Sequence, residues 1–245
     1  MENLVITIEQ SNILEIRINR PEKKNALTWQ MYRDITDGLA RAACSEHMHA
    51  VLIAGEGDLF CAGNDLDEFL AATADETAGI DFIRAIANFE KPIVAAVQGA
   101  AVGIGATMLL HCDLVYASPD ASFRMPFVSL GLVPEAASSL LAPAAFGYGN
   151  AGRMLLLGEA LSAQEALATG FLAEIVERDA LYDYARRKAE MLAKLPPNAL
   201  SVTRRLMRGG RAAINDRIEQ EASLFVEALS SPEAREIISS FFARR

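Results

Sequence analysis

Lys91-Pro-Ile-Val-Ala-Ala-Val-Gln-Gly-Ala-Ala-Val-Gly-Ile-Gly105, continued by Ala106 to Cys112, is the stretch on which the fold turns. From Pro92 to Cys112 it runs 21 residues without a formal charge, long enough to be mistaken for a membrane-spanning helix. Its interior argues otherwise. Ile93 to Val97 is rich in β-formers, Gln98, Gly99, Gly103 and Gly105 break the run, and Ala106 to Leu110 reads as helical. A buried strand, a glycine turn and a buried helix account for all three parts.

The same rhythm extends outward. Leu4–Ile8 and Ile13–Asn19, separated by Glu9-Gln-Ser-Asn12, predict a hairpin that Pro21 stops. Thr28 is a predicted N-cap for a helix with Met31, Ile35 and Leu39 on one face. Ala50–Ala54 predicts a buried strand, followed by the small-residue segment Phe60 to Asp65, and no repeat of fixed period is visible. Leu114–Ala117 and Ser122–Phe127 predict further strands. From Pro134 the chain reads mostly helical, with a helix through Leu155-Leu-Leu157, a short break, and a capping box at Ser162-Ala-Gln-Glu165. Pro196-Pro197 marks the last joint. Beyond it Arg204, Arg205, Arg208 and Arg211 lead into an amphipathic stretch carrying Ile218, Leu224, Phe225, Leu229, Ile237, Ile238 and Phe241. So apolar a terminal layer either packs against a sister subunit or folds back on its own core.

Composition bounds the classes. The 245 residues are 51% hydrophobic and 22% charged, with a net charge of −9. Such a chain buries roughly three quarters of its unfolded surface without disulfide or metal support. The acidity is localised: residues 1–150 carry 9 Lys+Arg against 19 Asp+Glu, and residues 151–245 carry 14 against 13. That balance argues against non-specific binding to nucleic acid or to an anionic membrane. Cys44, Cys61 and Cys112 form no C-x-x-C pair, and His47, His49 and His111 lack partners at metal-ligand spacing, so no metal is expected. The N-terminus shows neither a basic region nor a cleavage site and the C-terminus no peroxisomal tripeptide, which predicts a cytoplasmic protein.

Four segments can carry chemistry. Phe60-Cys-Ala-Gly-Asn-Asp-Leu66 and Gly99-Ala-Ala-Val-Gly-Ile-Gly105 are trimmed turns whose accessible backbone N–H groups could converge as an oxyanion hole; the alternative is that their glycines serve only tight packing. Arg20, Lys23 and Lys24 could meet phosphates or simply be solvated. Asp65 could bind a ligand or cap a helix through Glu68. Glu135, in Leu130-Gly-Leu-Val-Pro-Glu-Ala-Ala-Ser-Ser-Leu140, is a lone carboxylate among apolar and small residues, where burial raises a carboxyl pKa toward the range of proton transfer. Its alternative is ordinary helix-start chemistry, with Pro134 at the first position and an acid in the first turn. No G-x-S-x-G, P-loop or G-x-G-x-x-G motif competes.

Together these segments resemble the crotonase, or enoyl-CoA hydratase/isomerase, superfamily. The matching residues are Arg20 through Asn25-Ala-Leu27, Phe60 to Leu66, Lys91 to Gly105, Cys112-Asp-Leu114 and Leu130-Gly-Leu-Val-Pro134. The resemblance implies an α/β fold, a ClpP-like spiral of ββα turns over residues 1–190 that binds acyl-CoA, with a C-terminal helical oligomerisation region, 191–245, building trimers or hexamers. It implies an oxyanion hole from the backbone N–H groups of Ala62 and Ile104. It places Lys24, Ala26, Leu27, Ala62, Gly63, Asn64, Asp65, Leu66 and Ile104 along the acyl-CoA, which enters as substrate with no separate cofactor, metal, nucleic acid or membrane partner. Where hydratases carry their two glutamates this sequence has Thr107 and Phe127. The Pro-Glu-x-x-Ser-Ser pattern at 134–139 resembles instead the Δ3-Δ2-enoyl-CoA isomerase branch, which implies Glu135 as the single acid/base. Another enolate reaction (hydration, thioester hydrolysis, decarboxylation) and a non-catalytic acyl-CoA binder are the alternatives.

Overall fold

The computed structural model describes residues 3–65, 67–68 and 76–243, the last three without their side chains. Leu66 therefore lies outside the described residues, as does the side chain of Phe241.

The expected hairpin forms: β1 (Val5–Gln10) pairs antiparallel with β2 (Ile13–Ile18), Val5 opposite Ile18. Parallel strands then extend the sheet: β3 (Ala50–Gly55), β4 (Ile93–Val97), β6 (Leu114–Ala117) and β9 (Glu174–Ile175), in the order β1-β2-β3-β4-β6-β9. Every residue of β4 is buried, because both faces of the sheet are covered. Alternation divides the side chains: Val51, Ile53 and Ala95 join the main core, whereas Leu52, Ala54, Val94 and Ala96 pack against Leu181, Ala185 and Ala189 of α7 (Arg178–Ala193). A second sheet, β5 (Ala100–Val102), β7 (Ser122–Arg124) and β8 (Ala160–Ser162), stands beside the glycine turn.

The helices on the main-core side follow from their sequence signals. In α1 (Trp29–Cys44) the Thr28 hydroxyl accepts from the Met31 N–H at 3.2 Å, and Met31, Ile35 and Leu39 are buried. Next come α2 (Ala78–Asn88) and α3 (Ile104–Thr107), the latter tightening into a 3-10 turn over Met108–His111. The helix expected over Ala106–Leu110 thus begins two residues earlier and changes pitch midway.

Three expectations change downstream of Pro134. The helix start lies not at Pro134 but at Ser138, where α4 (Ser138–Phe146) begins, because Ala136 and Ala137 adopt left-handed φ values of 58° and 55°. Glu135 is consequently not a first-turn acid. The next helix, α5 (Tyr148–Leu155), ends before Leu156 and Leu157, which are exposed, and an unforeseen strand, β8, leads into α6 (Ala163–Ala168) with its expected capping box between Ser162 and Glu165.

After α7 the chain turns at Pro196-Pro197 into α8 (Pro197–Arg208), α9 (Arg211–Ser230) and α10 (Pro232–Ala243). The Arg204 Nε bonds both Asp113 oxygens at 2.8 and 2.7 Å, tying α8 to the body. Ile218 and Ile238 enter the main core, so this layer folds back on its own chain. Leu206 and Met207 of α8 still face outward, 76% and 82% exposed. No helix among the described residues is long and apolar enough to cross a membrane.

Candidate active site

Three of the segments singled out in the sequence lie side by side. Cys61 forms a parallel bridge with Ala101, its N–H donating to Ala100 (3.1 Å) and its carbonyl accepting from Val102 (2.9 Å). On the other side Leu27 bridges Asn64, donating to the Gly63 carbonyl at 2.8 Å while Asp65 donates to the Leu27 carbonyl at 2.8 Å. The loop 24–27, the strip 61–65 and the turn 100–104 thus form one small sheet-like surface. Gly105 lets the last two touch: a Cβ there would fall 2.6 Å from the Cys61 carbonyl oxygen.

Ile104 opens α3 behind Gly103, and its N–H finds no acceptor among the described residues. The Ala62 N–H donates to the Lys24 carbonyl at 3.0 Å. Two amides are therefore presented, one free and one in a main-chain bond that a stronger acceptor could take over. Lys23 and Lys24 have exposed side chains, and Lys24 and Asn25 both have φ near 55°. The buried Asn25 side chain holds this loop: its Nδ2 donates to the Glu56 and Leu59 carbonyls at 2.8 Å each, and its Oδ1 accepts from Arg20 N–H at 2.8 Å.

Asp65 resolves in favour of capping. Its Oδ1 accepts from the Asp67 and Glu68 amides at 3.1 and 3.2 Å, and Oδ2 from Arg20 Nη1 at 2.6 Å. Burial alone would raise its pKa, but the Arg20 guanidinium and those amides hold it below the usual carboxylate value. Asn64 instead points its side chain to a cavity of 290 Å³ and accepts from the hydroxyl of Tyr32, itself stacked on Trp29 and packed on Phe82.

That cavity lies between α1, α2 and the folded-back α9. Its walls are mostly apolar, with Ile80 and Ile83 facing Ile218, Phe225 and Leu229, and Glu135 opens onto it. Two larger clefts, of 550 and 460 Å³, lie between α1 and α8 and along the α8–α9 joint; neither is lined by Glu135, and Ala62 and Ile104 line none of the three.

Glu135 is 9% exposed, and its Oε1 accepts a long bond, 3.5 Å, from the Thr107 hydroxyl at the end of α3. Burial, with a contribution from the charge of Glu221, raises its pKa to about 8 against a weak lowering by Thr107. The carboxyl group is therefore poised near neutrality, basic when ionised and shielded from water. Phe127, at the other position of interest, is buried edge-on against Phe225.

Sequence reasoning missed the residues that shape the Glu135 segment. His111 is buried and its pKa is lowered by burial to about 4, so the neutral ring donates from Nε2 to the Ala136 carbonyl at 2.8 Å. Glu221 of α9 accepts from Ser139. The available signal was an acid on the apolar face of an amphipathic helix, three residues after Ile218 and four before Phe225. Cys61 is inert as a nucleophile, burial pushing its thiol to about 12. No cluster of three or more potential metal ligands occurs among the described residues.

Residues 8–245 match the sequence profile described as Enoyl-CoA hydratase/isomerase. The chain belongs to the enoyl-CoA hydratase/isomerase family. Among solved members of this family, an enoyl-CoA hydratase/isomerase from Pseudoalteromonas atlantica T6c superposes with a TM-score of 0.94 at 42% identity, over 99% of this chain and 98% of that one. Rat enoyl-CoA delta isomerase 2 is 36% identical over 98% of this chain, which spans only 64% of that protein's length. The 2,3-dehydroadipyl-CoA hydratase of Escherichia coli K12 is 32% identical, with 100% of this chain and 97% of the relative covered. The fold is thus the crotonase fold expected from the sequence, and family members with isomerase and hydratase names lie at similar distances.

Proposed function

We propose that the chain is an acyl-CoA enzyme that moves a double bond from the 3- to the 2-position, a Δ3-Δ2-enoyl-CoA isomerase with Glu135 as its only acid/base. The observation that carries this reading is a single buried carboxyl group, raised to about 8, on a mostly apolar cavity, while Thr107 and Phe127 occupy the places where the resemblance would put a hydratase's glutamates. Adding water needs one group to activate it and one to protonate carbon. A 1,3-shift needs only one group that takes a proton and gives it back.

In this reading the thioester oxygen sits on the Ile104 and Ala62 amides, replacing the Lys24 carbonyl as the acceptor of the latter. Ionised Glu135 removes a proton from C2, the electron pair delocalises as a dienolate onto the thioester oxygen, and the same carboxyl returns the proton to C4. Each amide donor contributes about 3 kcal/mol to the intermediate. Roughly a tenth of Glu135 would be ionised at pH 7, a compromise between availability and basicity. Lys24, Ala26, Leu27 and Gly63 to Asp65 border the CoA, chiefly through main chain, since Asp65 is committed to Arg20 and the local amides. Outward-facing Leu206 and Met207 supply apolar surface for a homotrimer or hexamer.

A second reading, another enolate reaction such as hydration, draws support from the full-length similarity to a hydratase-named relative. Incubation with a 3-enoyl-CoA, followed by mass spectrometry, separates the two: isomerisation gives a product of unchanged mass, and hydration adds one water. A hydrated product as the main species, or no turnover with tight CoA binding, would overturn the isomerase reading.

A further inference from the structure

Glu221 is a buried carboxylate, 4% exposed, that the reaction above does not use. It projects from α9 on the same face as Ile218 and Phe225 and meets the start of α4. Its Oε1 accepts from the Ser139 N–H at 3.0 Å and from the Ser139 hydroxyl at 2.5 Å. Its Oε2 is buried with no hydrogen-bond partner among the described residues. Such an oxygen is costly unless something else repays it.

The location explains the return. The residue at the N-cap position of α4, Ala137, has no side chain to cap with, and it and Ala136 are held left-handed, where Cβ is disfavoured. Glu221 caps this helix from another element, while His111 holds the Ala136 carbonyl from the 3-10 turn after α3. Both restraints act on the residues that directly follow Glu135. Arg217, one turn earlier on α9, donates to the Ser139 hydroxyl at 2.8 Å and favours the ionised form of Glu221.

We propose that Glu221 is a positioning residue for Glu135: from α9 it clamps the start of α4 behind the left-handed Ala136 and Ala137 and sets a second carboxylate in electrostatic reach of the proton carrier. The C-terminal helix is then part of the active site rather than only its cover. The proposal rests on Glu135 being the proton carrier. Burial raises the pKa of Glu221, while the donors at Ser139 and the charge of Arg217 oppose that rise. The charge of Glu221 opposes the ionisation of Glu135, so removing it should lower the Glu135 midpoint. The other groups around it are the Thr107 hydroxyl from α3, Tyr32 from α1 and Cys61, whose ionisation its charge opposes, and the Glu76 and Arg235 side chains that share its cavity.

The test is a ¹³C-carboxyl NMR titration of glutamate-labelled full-length protein, with the Glu135 signal assigned through Glu135→Gln, together with kcat and KM on a 3-enoyl-CoA. The expected result is a midpoint near 8 in the parent, a lower one in Glu221→Gln, and recovery of the parent value in Glu221→Asp, which keeps the charge. In Glu221→Gln kcat should fall about tenfold with little change in KM. An unmoved Glu135 midpoint or an unchanged kcat in Glu221→Gln overturns the proposal. Should that variant not fold, Ser139→Pro, which removes both the hydroxyl and the N–H that Glu221 accepts from, replaces it: a lower kcat at parental KM supports the proposal, and parental kcat overturns it. The two readings fail separately. A midpoint that moves in a protein without isomerase activity removes the isomerase reading and leaves the coupling, and an unmoved midpoint in an active isomerase does the reverse.

Discussion

Glu135 shows how much of a site depends on one side chain's surroundings. The sequence permits two readings of it, a helix-start acid or a buried base, and the backbone decides: left-handed Ala136 and Ala137 delay the helix to Ser138, and the carboxyl group turns inward against Thr107. Its pKa near 8 has a kinetic consequence. If the ionised form removes the C2 proton, kcat/KM for isomerisation should rise tenfold per pH unit on the acid side and level off near pH 8. A pH–rate profile measured from pH 5 to 9 checks this, and a plateau already reached near pH 5 would mean that the base is an ordinary solvated carboxylate or another group.

At the scale of elements, the surface made by 24–27, 61–65 and 100–104 depends on loops rather than helices. Asn25 is its staple. Replacing Asn25 by Ala leaves the Glu56 and Leu59 carbonyls and the Arg20 N–H without their partner, a loss of roughly 1–3 kcal/mol. Urea unfolding should show this destabilisation together with weaker CoA binding; unchanged values for both would show that the loop is held by other contacts. The strands and the glycine turns were legible because burial and small residues leave their mark on local sequence. Thr28 and the Ser162–Glu165 box are likewise legible as capping signals. What was not legible was long-range: that Lys24 lends its carbonyl to Ala62, that Asp65 is committed to Arg20, and that β8 pairs with β7. These depend on which turns become neighbours, and local periodicity carries no such information.

For the whole molecule, the apolar C-terminal layer reads differently once folded. The layer was equally compatible with a sister subunit or with its own core. Ile218 and Ile238 are buried in the main core, and Phe225 and Leu229 complete the cavity wall. The site is therefore closed by the chain's own end. Burying Glu135 there has a cost that depends on pH. Its folded pKa of about 8 exceeds the ordinary value of 4.5, so the folded state binds this proton more tightly and stability falls as pH rises from 4.5 to 8. Glu135→Gln escapes that loss. Thermal or denaturant unfolding should find the variant equal to the parent below pH 4.5 and more stable, by a few kcal/mol, above pH 8. On the acid side both should weaken as pH falls from 6.5 toward 4, because buried His111 resists protonation. Equal stability of variant and parent at every pH would contradict the burial of an ionisable group at this position.

The central claim is that one carboxyl group carries the proton between C2 and C4. Its most direct test is the turnover of a 3-enoyl-CoA by purified Glu135→Gln, with folding confirmed by circular dichroism and CoA binding by calorimetry. The predicted result is parental binding with kcat lowered by about 10² to 10⁴, and a variant that isomerises at the parental rate would contradict it.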